Sequence, residues 1–231
     1  MKEGDTVQSE KTKWRIITLL GSGGFGDVYK VAKVDNPDKT EYAMKTEMMA
    51  GNRRMLRLKI EVVILMKCHQ QTGPERRTHF VEFIDRGKTL KFKFLVMGLV
   101  GPSLEDIRQK YLVRNFSPST AMHCCIQTLN AVRDIHSLGY LHRDIKPQNF
   151  SVGIGAKERN IYMLDFGIAR KFTEGATNTS SENKSTLLGN GAIRIEGMSQ
   201  ADRARTQRRF GMLAVHGSTS TITIVIEKTD L

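Results

Sequence analysis

The sequence predicts an α+β fold in which a five-stranded sheet with one helix comes first and a helical part follows. β-prone runs separated by glycine and proline turns lie between residues 14 and 97, and a helical stripe of apolar residues comes after them. With 231 residues, 39% of them hydrophobic, the chain is long enough to fill the core of such a domain. We expect an N-terminal extension at 1–13, a first lobe at 14–97, an incomplete second lobe at 98–174 and a tail at 175–231.

Composition limits the classes of function. The three cysteines, Cys68, Cys124 and Cys125, form no CxxC pair, and no apolar run has the length of a signal or membrane-spanning segment. We therefore expect a cytoplasmic or nuclear protein that does not enter a membrane. The net charge of +12 suits polyanionic partners, and nucleic-acid binding is the alternative that it raises. Because the sequence has no RNA- or DNA-reading module, we expect no nucleic-acid partner.

A strand, a glycine turn and a second strand open the first lobe. The turn consists of Gly21, Ser22, Gly23, Gly24, Phe25 and Gly26. Glycines leave room for backbone N–H groups to approach phosphate oxygens, and Val28 is expected over the flat face of a purine. A dinucleotide-binding turn of the Rossmann type is the alternative. That turn needs a helix directly after the glycines, where this sequence predicts a strand.

A lysine and a glutamate are predicted to pair in the first lobe. Lys45 ends a short strand, and Glu61 is the one acidic residue of a predicted helix at 52–70. A lysine at this place can hold nucleotide phosphates while the helix glutamate aims it. In isolation, a solvated lysine and a glutamate in surface i,i+4 pairs would be the simpler interpretation. Ala43, Met97 and Leu99 complete the expected nucleotide pocket, beside a glycine-bounded connector at 98–102.

The octapeptide from His142 to Asn149 has the composition of a phosphoryl-transfer loop. Asp144, Lys146 and Asn149 supply, in order, a carboxylate to take a hydroxyl proton, a cation near a phosphate and an amide oxygen for a metal. Downstream, Asp165 stands at the end of a predicted strand, from which its carboxylate can reach a metal. A polar loop after a helix is the alternative for the octapeptide alone. The ordered series of motifs favours phosphoryl transfer.

Residues 14–171 resemble a eukaryotic protein kinase, and more narrowly the casein kinase 1 superfamily on its tau-tubulin kinase branch. Segments 60–62, 99–106, 142–150 and 165–170 carry this resemblance. It implies a two-lobed protein kinase fold that transfers phosphate from ATP, with Mg²⁺, to serine or threonine of protein substrates that are acidic or already phosphorylated. It also implies Asp144 as proton acceptor, Lys146 on the γ-phosphate, and Asn149 and Asp165 as metal ligands. The oligomeric state is left open.

The resemblance ends near Thr173. Residues 174–186 are rich in Ser, Thr, Asn and Gly and predict a disordered linker, while residues 219–226 predict a strand with no evident sheet to join. Codons allowed for Arg208 to Ala214 can, in a shifted frame, spell Thr-Val-Arg-Tyr-Ala-Ser, which resembles a segment of casein kinase 1 relatives. We therefore expect a tail that is disordered or out of frame. The alternative function is a catalytically silent ATP-binding fragment that acts as a binding module.

Overall fold

The computed structural model describes residues 1–23, 26–49, 57–70, 78–112 and 116–171, together with the backbone of three strands in the tail. The chain forms two compact units. Unit 1 comprises Met1–Gly101 and Val152–Ala169, and unit 2 comprises Pro102–Ser151 and Arg170–Leu231. Each unit is described by itself.

Unit 1 is built on a six-stranded antiparallel sheet with the order β1-β2-β3-β4-β6-β5. The five predicted strands are present, and one further strand joins the edge. This strand lies within the segment expected as an extension, and it pairs because Val7 faces Trp14 and both side chains are buried in the core. The strands are β1 (Thr6–Gln8), β2 (Lys13–Gly23), β3 (Gly26–Lys33), β4 (Glu41–Met48), β5 (Phe83–Lys88) and β6 (Phe92–Gly98).

The two faces of this sheet carry different side chains, because successive residues of a strand point to opposite faces. One face forms the hydrophobic core. It buries Val7, Trp14, Ile16, Tyr29, Val31, Met44, Phe94 and Val96. The indole Nε1 of Trp14 donates to the Asp85 carboxylate at 2.8 Å, so both buried polar groups are satisfied.

The opposite face carries the predicted nucleotide residues. Val28 pairs with Lys45 across β3 and β4, and Ala43 pairs with Met97 across β4 and β6. Helix α1 (Arg57–Gln70) follows β4 and buries Glu61 together with its apolar residues. Because β3 begins at Gly26, the glycine turn leads into a strand, which excludes the Rossmann alternative.

Unit 2 begins with helices that start at serine caps. Ser103 precedes α2 (Leu104–Asp106) and accepts a hydrogen bond from the Asp106 N–H, and a short π-helix at Ile107–Tyr111 follows. Ser117 caps α3 (Pro118–Ser137). Three residues of the predicted apolar stripe, Cys125, Val132 and Ile135, are buried, and Met122, Ile126 and Leu129 are half-buried. No helix among the described residues is long and apolar enough to span a membrane.

Short strands flank the predicted catalytic loop and the Asp165 segment. They are β7 (Tyr140–Leu141), β8 (Phe150–Val152), β9 (Ile161–Met163) and β10 (Arg170–Lys171). Within unit 2, β10 pairs antiparallel with β7, which places Arg170 opposite Leu141. This pairing holds the chain on both sides of the loop that begins at His142.

The tail contains a three-stranded antiparallel sheet. Its strands are β11 (Ile193–Glu196), β12 (Leu213–His216) and β13 (Thr221–Ile226), in the order β11-β13-β12. The strand predicted at 219–226 is therefore present as the central strand, and its partners were not recognised in the sequence. The linker predicted at 174–186 lies outside the described residues.

Candidate active site

The glycine-rich hairpin connects β2 and β3 in unit 1. Gly21 lies opposite Val28, and Gly23 lies opposite Gly26. A Cβ atom added at Gly21 would meet nothing within 4 Å, so open space adjoins this backbone. Such space is what a phosphate approaching the N–H groups requires. Gly24 and Phe25, which belong to the same predicted turn, lie outside the described residues.

Gly26 is required by the sheet itself. Its φ is +138°, a conformation that side-chain-bearing residues rarely adopt, and an added Cβ would overlap the backbone oxygen of Thr46. Thr46 follows Lys45 on β4. Gly26 therefore lets β3 approach the strand that carries the predicted phosphate-binding lysine.

The Lys45 ammonium lies between two carboxylates of unit 1. Its Nζ is 2.8 Å from Glu61 Oε2 and 3.0 Å from Asp165 Oδ1. The Glu61 side chain is 2% exposed, whereas that of Asp165 is 47% exposed. The predicted pairing of Lys45 with Glu61 is thus present, and the structure adds Asp165 as a second partner of the lysine.

The electrostatics of this cluster reflect burial and mutual charge. Burial acts to lower the pKa of Lys45, but the two neighbouring carboxylates outweigh it, and the net pKa is raised. Burial raises the pKa of Glu61 despite the opposing effect of the Lys45 ammonium. Lys45 therefore remains a cation, and its ammonium contacts both the buried Glu61 and the more exposed Asp165.

Asp165 is held in an unusual backbone conformation. Its φ is +63°, in the left-handed region that non-glycine residues seldom occupy. Next to it, a Cβ added at Gly167 would lie 3.1 Å from the Arg57 Cβ and 3.2 Å from the Asp165 carboxylate. A larger residue would therefore have to displace one of these groups. Strain of this kind is concentrated at functional sites.

Packing within unit 1 supports the segment that carries Asp165. The backbone N–H of Met163 donates to the His79 carbonyl at 2.9 Å, and His79 Nδ1 lies 2.9 Å from the Ile161 carbonyl. The Phe166 ring is fully buried and contacts the ring of Phe80, with 5.9 Å between their centroids. These contacts fix both sides of Asp165, so its carboxylate has a defined position.

The predicted pocket for the base lies around Ala43 and Met97, which face each other and are buried. Leu20 was not predicted as a site residue. It lies in the irregular pairing directly before Gly21, and its side chain is 48% exposed.

Leu99 lies in the connector after β6 and also lines a separate cavity. This cavity has a volume of about 460 Å³, and its lining includes Phe80, Val100 and Tyr162. Of the predicted nucleotide residues that the structure describes, Leu99 alone lines it. The cavity is therefore distinct from the sheet face that carries Val28 and Lys45.

Unit 2 brings together the polar residues of the predicted catalytic loop. Lys146 Nζ lies 2.8 Å from Asp144 Oδ2, and Asn149 Nδ2 donates to the same oxygen at 2.9 Å. Asn149 Nδ2 also donates to the Asp144 backbone carbonyl at 2.7 Å. The amide nitrogen of Asn149 is thus committed to Asp144, and its Oδ1 is the atom suited to a cation.

His142 supports this loop from the interior. Its ring is 2% exposed, and Nδ1 accepts a hydrogen bond from the Asp144 N–H at 3.3 Å. His142 is therefore a packed residue in the interior that supports the backbone of the loop. Arg143 has a φ of +71°, so the backbone turns sharply between His142 and Asp144.

Comparisons with known proteins show the family of the chain. Residues 14–196 match the family described as protein kinase domain, beyond the end predicted for the second lobe. ZK507.3 of Caenorhabditis elegans, named as a serine/threonine-protein kinase, is 45% identical over 163 residues, which are 69% of this chain and 43% of that protein. A Caenorhabditis elegans protein named as a casein kinase I, C03C10.2, is 35% identical over 163 residues, 69% of this chain and 45% of that protein.

A solved structure shows the same fold. The crystal structure of the BubR1 kinase domain superposes with a TM-score of 0.62 at 19% identity, covering 75% of this chain and 53% of that chain. At this identity the likeness concerns the fold alone. The chain spans less than half the length of the two Caenorhabditis elegans relatives that it matches.

Proposed function

The chain belongs to the protein kinase domain family, and on that premise we propose that it transfers the γ-phosphate of ATP to serine or threonine residues of proteins, as an enzyme of the casein kinase 1 type. The observation that carries this proposal is the Lys45 ammonium held between Glu61 and Asp165. A lysine fixed in this way is the part of a kinase that positions nucleotide phosphates. When both are bound, ATP supplies the phosphoryl group, and Mg²⁺ neutralises negative charge on the phosphates of ATP.

The residues present suit this cofactor pair. Magnesium prefers hard oxygen ligands, and the Asp165 carboxylate and the Asn149 amide oxygen are of that kind. Glu61 holds Lys45 at 2.8 Å, so the ammonium does not have to be oriented when nucleotide binds. Asp165 would take part in metal binding, and Lys45 would remain with Glu61.

In unit 2, Asp144 would accept the proton of the substrate hydroxyl. Its carboxylate oxygen Oδ2 already receives hydrogen bonds from Lys146 and Asn149, which hold the carboxylate in one orientation. Orientation of a general base is a large part of its effect. Lys146 places a positive charge beside the position where the phosphoryl group would be transferred.

Acidic or already phosphorylated proteins are the proposed substrates. The resemblance to casein kinase 1 suggests them, and a relative named as a casein kinase I supports the same class. Arg170 and Lys171 are exposed on β10, and the chain carries a net charge of +12. Such a field attracts acidic partners. A preference of the protein for basic over acidic peptides, measured at moderate salt, would contradict this assignment.

The cysteines suit a reducing compartment, and we assign the protein to the cytoplasm or nucleus. Cys68, Cys124 and Cys125 form no disulfide bond with one another. Burial raises the pKa of Cys124 to about 11 and that of Cys125 to about 12, so neither ionises at neutral pH.

Two measurements test the function together. Thermal denaturation is followed with and without Mg-ATP, and transfer of radiolabelled phosphate to an acidic acceptor protein is measured in parallel. We expect a nucleotide-dependent rise in Tm together with transfer to serine or threonine. A rise in Tm without transfer would favour the alternative, a silent ATP-binding module. Absence of both effects would refute ATP-dependent activity.

A further inference from the structure

Both carboxylate oxygens of Asp27 are engaged by hydroxyl groups. Ser22 Oγ lies 2.6 Å from Oδ1, and the Tyr29 hydroxyl donates to Oδ2 at 2.7 Å. The backbone of Asp27 is tied as well, since its N–H donates to Thr46 Oγ1 at 3.2 Å and its carbonyl accepts from the same hydroxyl at 3.1 Å. We call these four residues, Ser22, Asp27, Tyr29 and Thr46, the hairpin clasp.

The clasp lies where the glycine-rich hairpin leaves the sheet. Ser22 on β2 is directly opposite Asp27 on β3. Thr46 is the neighbour of Lys45 on β4, and Lys45 is opposite Val28. The Asp27 carboxylate therefore links β3 to β2, and the Asp27 backbone links β3 to β4, at the level of the predicted phosphate-binding lysine.

Backbone pairing is weak at this end of β2. Its register with β3 shifts between Ile16 and Thr18 and again between Leu19 and Gly21. Such irregularities leave residues without ladder hydrogen bonds and increase the local twist. Side-chain hydrogen bonds across the strands would therefore contribute more to holding the hairpin here than in a regular ladder.

We propose that Asp27 is a positioning residue whose carboxylate fixes β2 against β3 at the base of the glycine-rich hairpin and so prepares the N–H groups of the hairpin for nucleotide phosphates. The proposal rests on the ATP binding proposed above. Its physical basis is preorganisation, because a hairpin that is already ordered loses less conformational freedom when a ligand binds. Asp27 does not itself touch the nucleotide in this role.

The chemistry of the clasp favours charge-assisted hydrogen bonds. The hydrogen bond from Ser22, followed by that from Tyr29, lowers the pKa of the Asp27 carboxyl, which is therefore ionised at neutral pH. Burial and the neighbouring Asp27 raise the pKa of Tyr29 to about 12, so this phenol remains a donor. Bonds between a neutral hydroxyl and a carboxylate are shorter and stronger than those between neutral groups.

Nucleotide affinity provides the first test. Calorimetry should show that Asp27→Ala raises the Kd for Mg-ATP by about three- to tenfold, since hydrogen bonds to a charged group are lost. The Kd for adenosine, which has no phosphates, should stay at the wild-type value. Glu41→Gln is the matched control, because it removes the ion pair with Lys30 on the same strands and should change neither affinity.

Double variants show whether the residues of the hairpin clasp affect the Kd for Mg-ATP together or independently. Ser22→Ala and Tyr29→Phe should each raise the Kd for Mg-ATP by less than Asp27→Ala does. In the Asp27→Ala background, the added Tyr29→Phe change should have no further effect. If the effects of Asp27→Ala and Tyr29→Phe on the Kd for Mg-ATP are fully additive, the two residues do not act together and the proposal of a hairpin clasp is overturned.

Hydrogen–deuterium exchange of the nucleotide-free protein separates the clasp from the proposed function. Asp27→Ala should speed exchange of the amides from Gly21 to Val28 and leave the turn between β5 and β6 unchanged. If wild-type protein binds no Mg-ATP but exchange responds in this way, the proposed function fails, and only the ordering of the hairpin by Asp27 stands. If the Asp27→Ala variant exchanges its amides at the wild-type rate and binds Mg-ATP with wild-type affinity, the positioning role of Asp27 is overturned. Asp27→Asn, which keeps the shape and one acceptor oxygen, serves if the alanine variant does not fold.

Discussion

The Lys45 ammonium lies 2.8 Å from a Glu61 carboxylate that is 2% exposed, whereas the Lys45 side chain itself is 21% exposed. The two partners are therefore buried unequally. Glu61 depends on Lys45 for the compensation of its charge, but Lys45 has a second carboxylate, Asp165, at 3.0 Å. Removing Lys45 and removing Glu61 should consequently change the free energy of unfolding by different amounts.

Lys45→Met should destabilise the protein more than Glu61→Gln does. The first change leaves a buried carboxylate without its cation, at a cost of about 3–5 kcal/mol in the free energy of unfolding. The second change leaves Lys45 paired with Asp165 and should cost about 1–2 kcal/mol. Urea denaturation measures both. The double variant Lys45→Met/Glu61→Leu should recover much of the loss, and a larger loss for Glu61→Gln alone would contradict this description of the pair.

Asp144→Asn and Asp165→Asn should separate chemistry from nucleotide binding. Asp165→Asn removes a charged ligand for Mg²⁺ and should weaken magnesium-dependent binding of ATP. Asp144→Asn should leave that binding close to wild type and lower phosphate transfer by about a hundredfold or more, since a general base is lost. ATP titrations with Mg²⁺ and with EDTA, beside a transfer assay, test both. Equal losses of affinity in the two variants would count against these roles.

Gly26→Ala should destabilise the protein more than Gly4→Ala. Both glycines have a positive φ, but an added Cβ at Gly4 would meet nothing within 4 Å, whereas at Gly26 it would overlap the Thr46 carbonyl. Gly4→Ala should therefore cost only the backbone strain, about 1–2 kcal/mol. Thermal denaturation compares the two variants. Equal effects would show that the approach of β3 to β4 is less constrained than the structure indicates.

His136 should make the stability of the protein depend on pH. Burial lowers the pKa of this histidine below its usual value of 6.5, because the charged ring is desolvated. Below that pH the unfolded chain therefore binds more protons than the folded chain, and the free energy of unfolding falls as pH falls. Urea denaturation between pH 7 and pH 5 should show a shallower loss for His136→Gln. If the free energy of unfolding of His136→Gln depends on pH as steeply as that of the wild type, His136 is not the cause of the pH dependence.

Local patterns were sufficient for much of the fold and site. The glycine hairpin, the strand of Lys45 and the pairing of Lys45 with Glu61 are all present as predicted. Turn and cap preferences act over a few residues, so a short window of sequence contains them. The role of Glu61 was recognised because it is the one acid in its helix.

Contacts between distant residues were not predictable in the same way. The N-terminal segment was expected as an extension, but burial of Val7 against Trp14 makes it a strand. The Asp27 contacts were missed because Ser22, Tyr29 and Thr46 meet only after the strand registers are set. A strand was predicted at 219–226 and is present at Thr221–Ile226, but its neighbouring strands were not predicted.

The sequence by itself determined the family, the order of the elements and the identity of the polar residues, because these depend on residue types and short spacings. Only the tertiary structure decided that Lys45 lies between two carboxylates, that Asp165 adopts a φ of +63° and that Asp27 joins three strands. Each of these depends on the register of strands and on packing between segments far apart in the chain. A one-residue change in register would turn the side chains to the opposite face of the sheet, and that choice depends on which face is buried and on the turns that connect the strands.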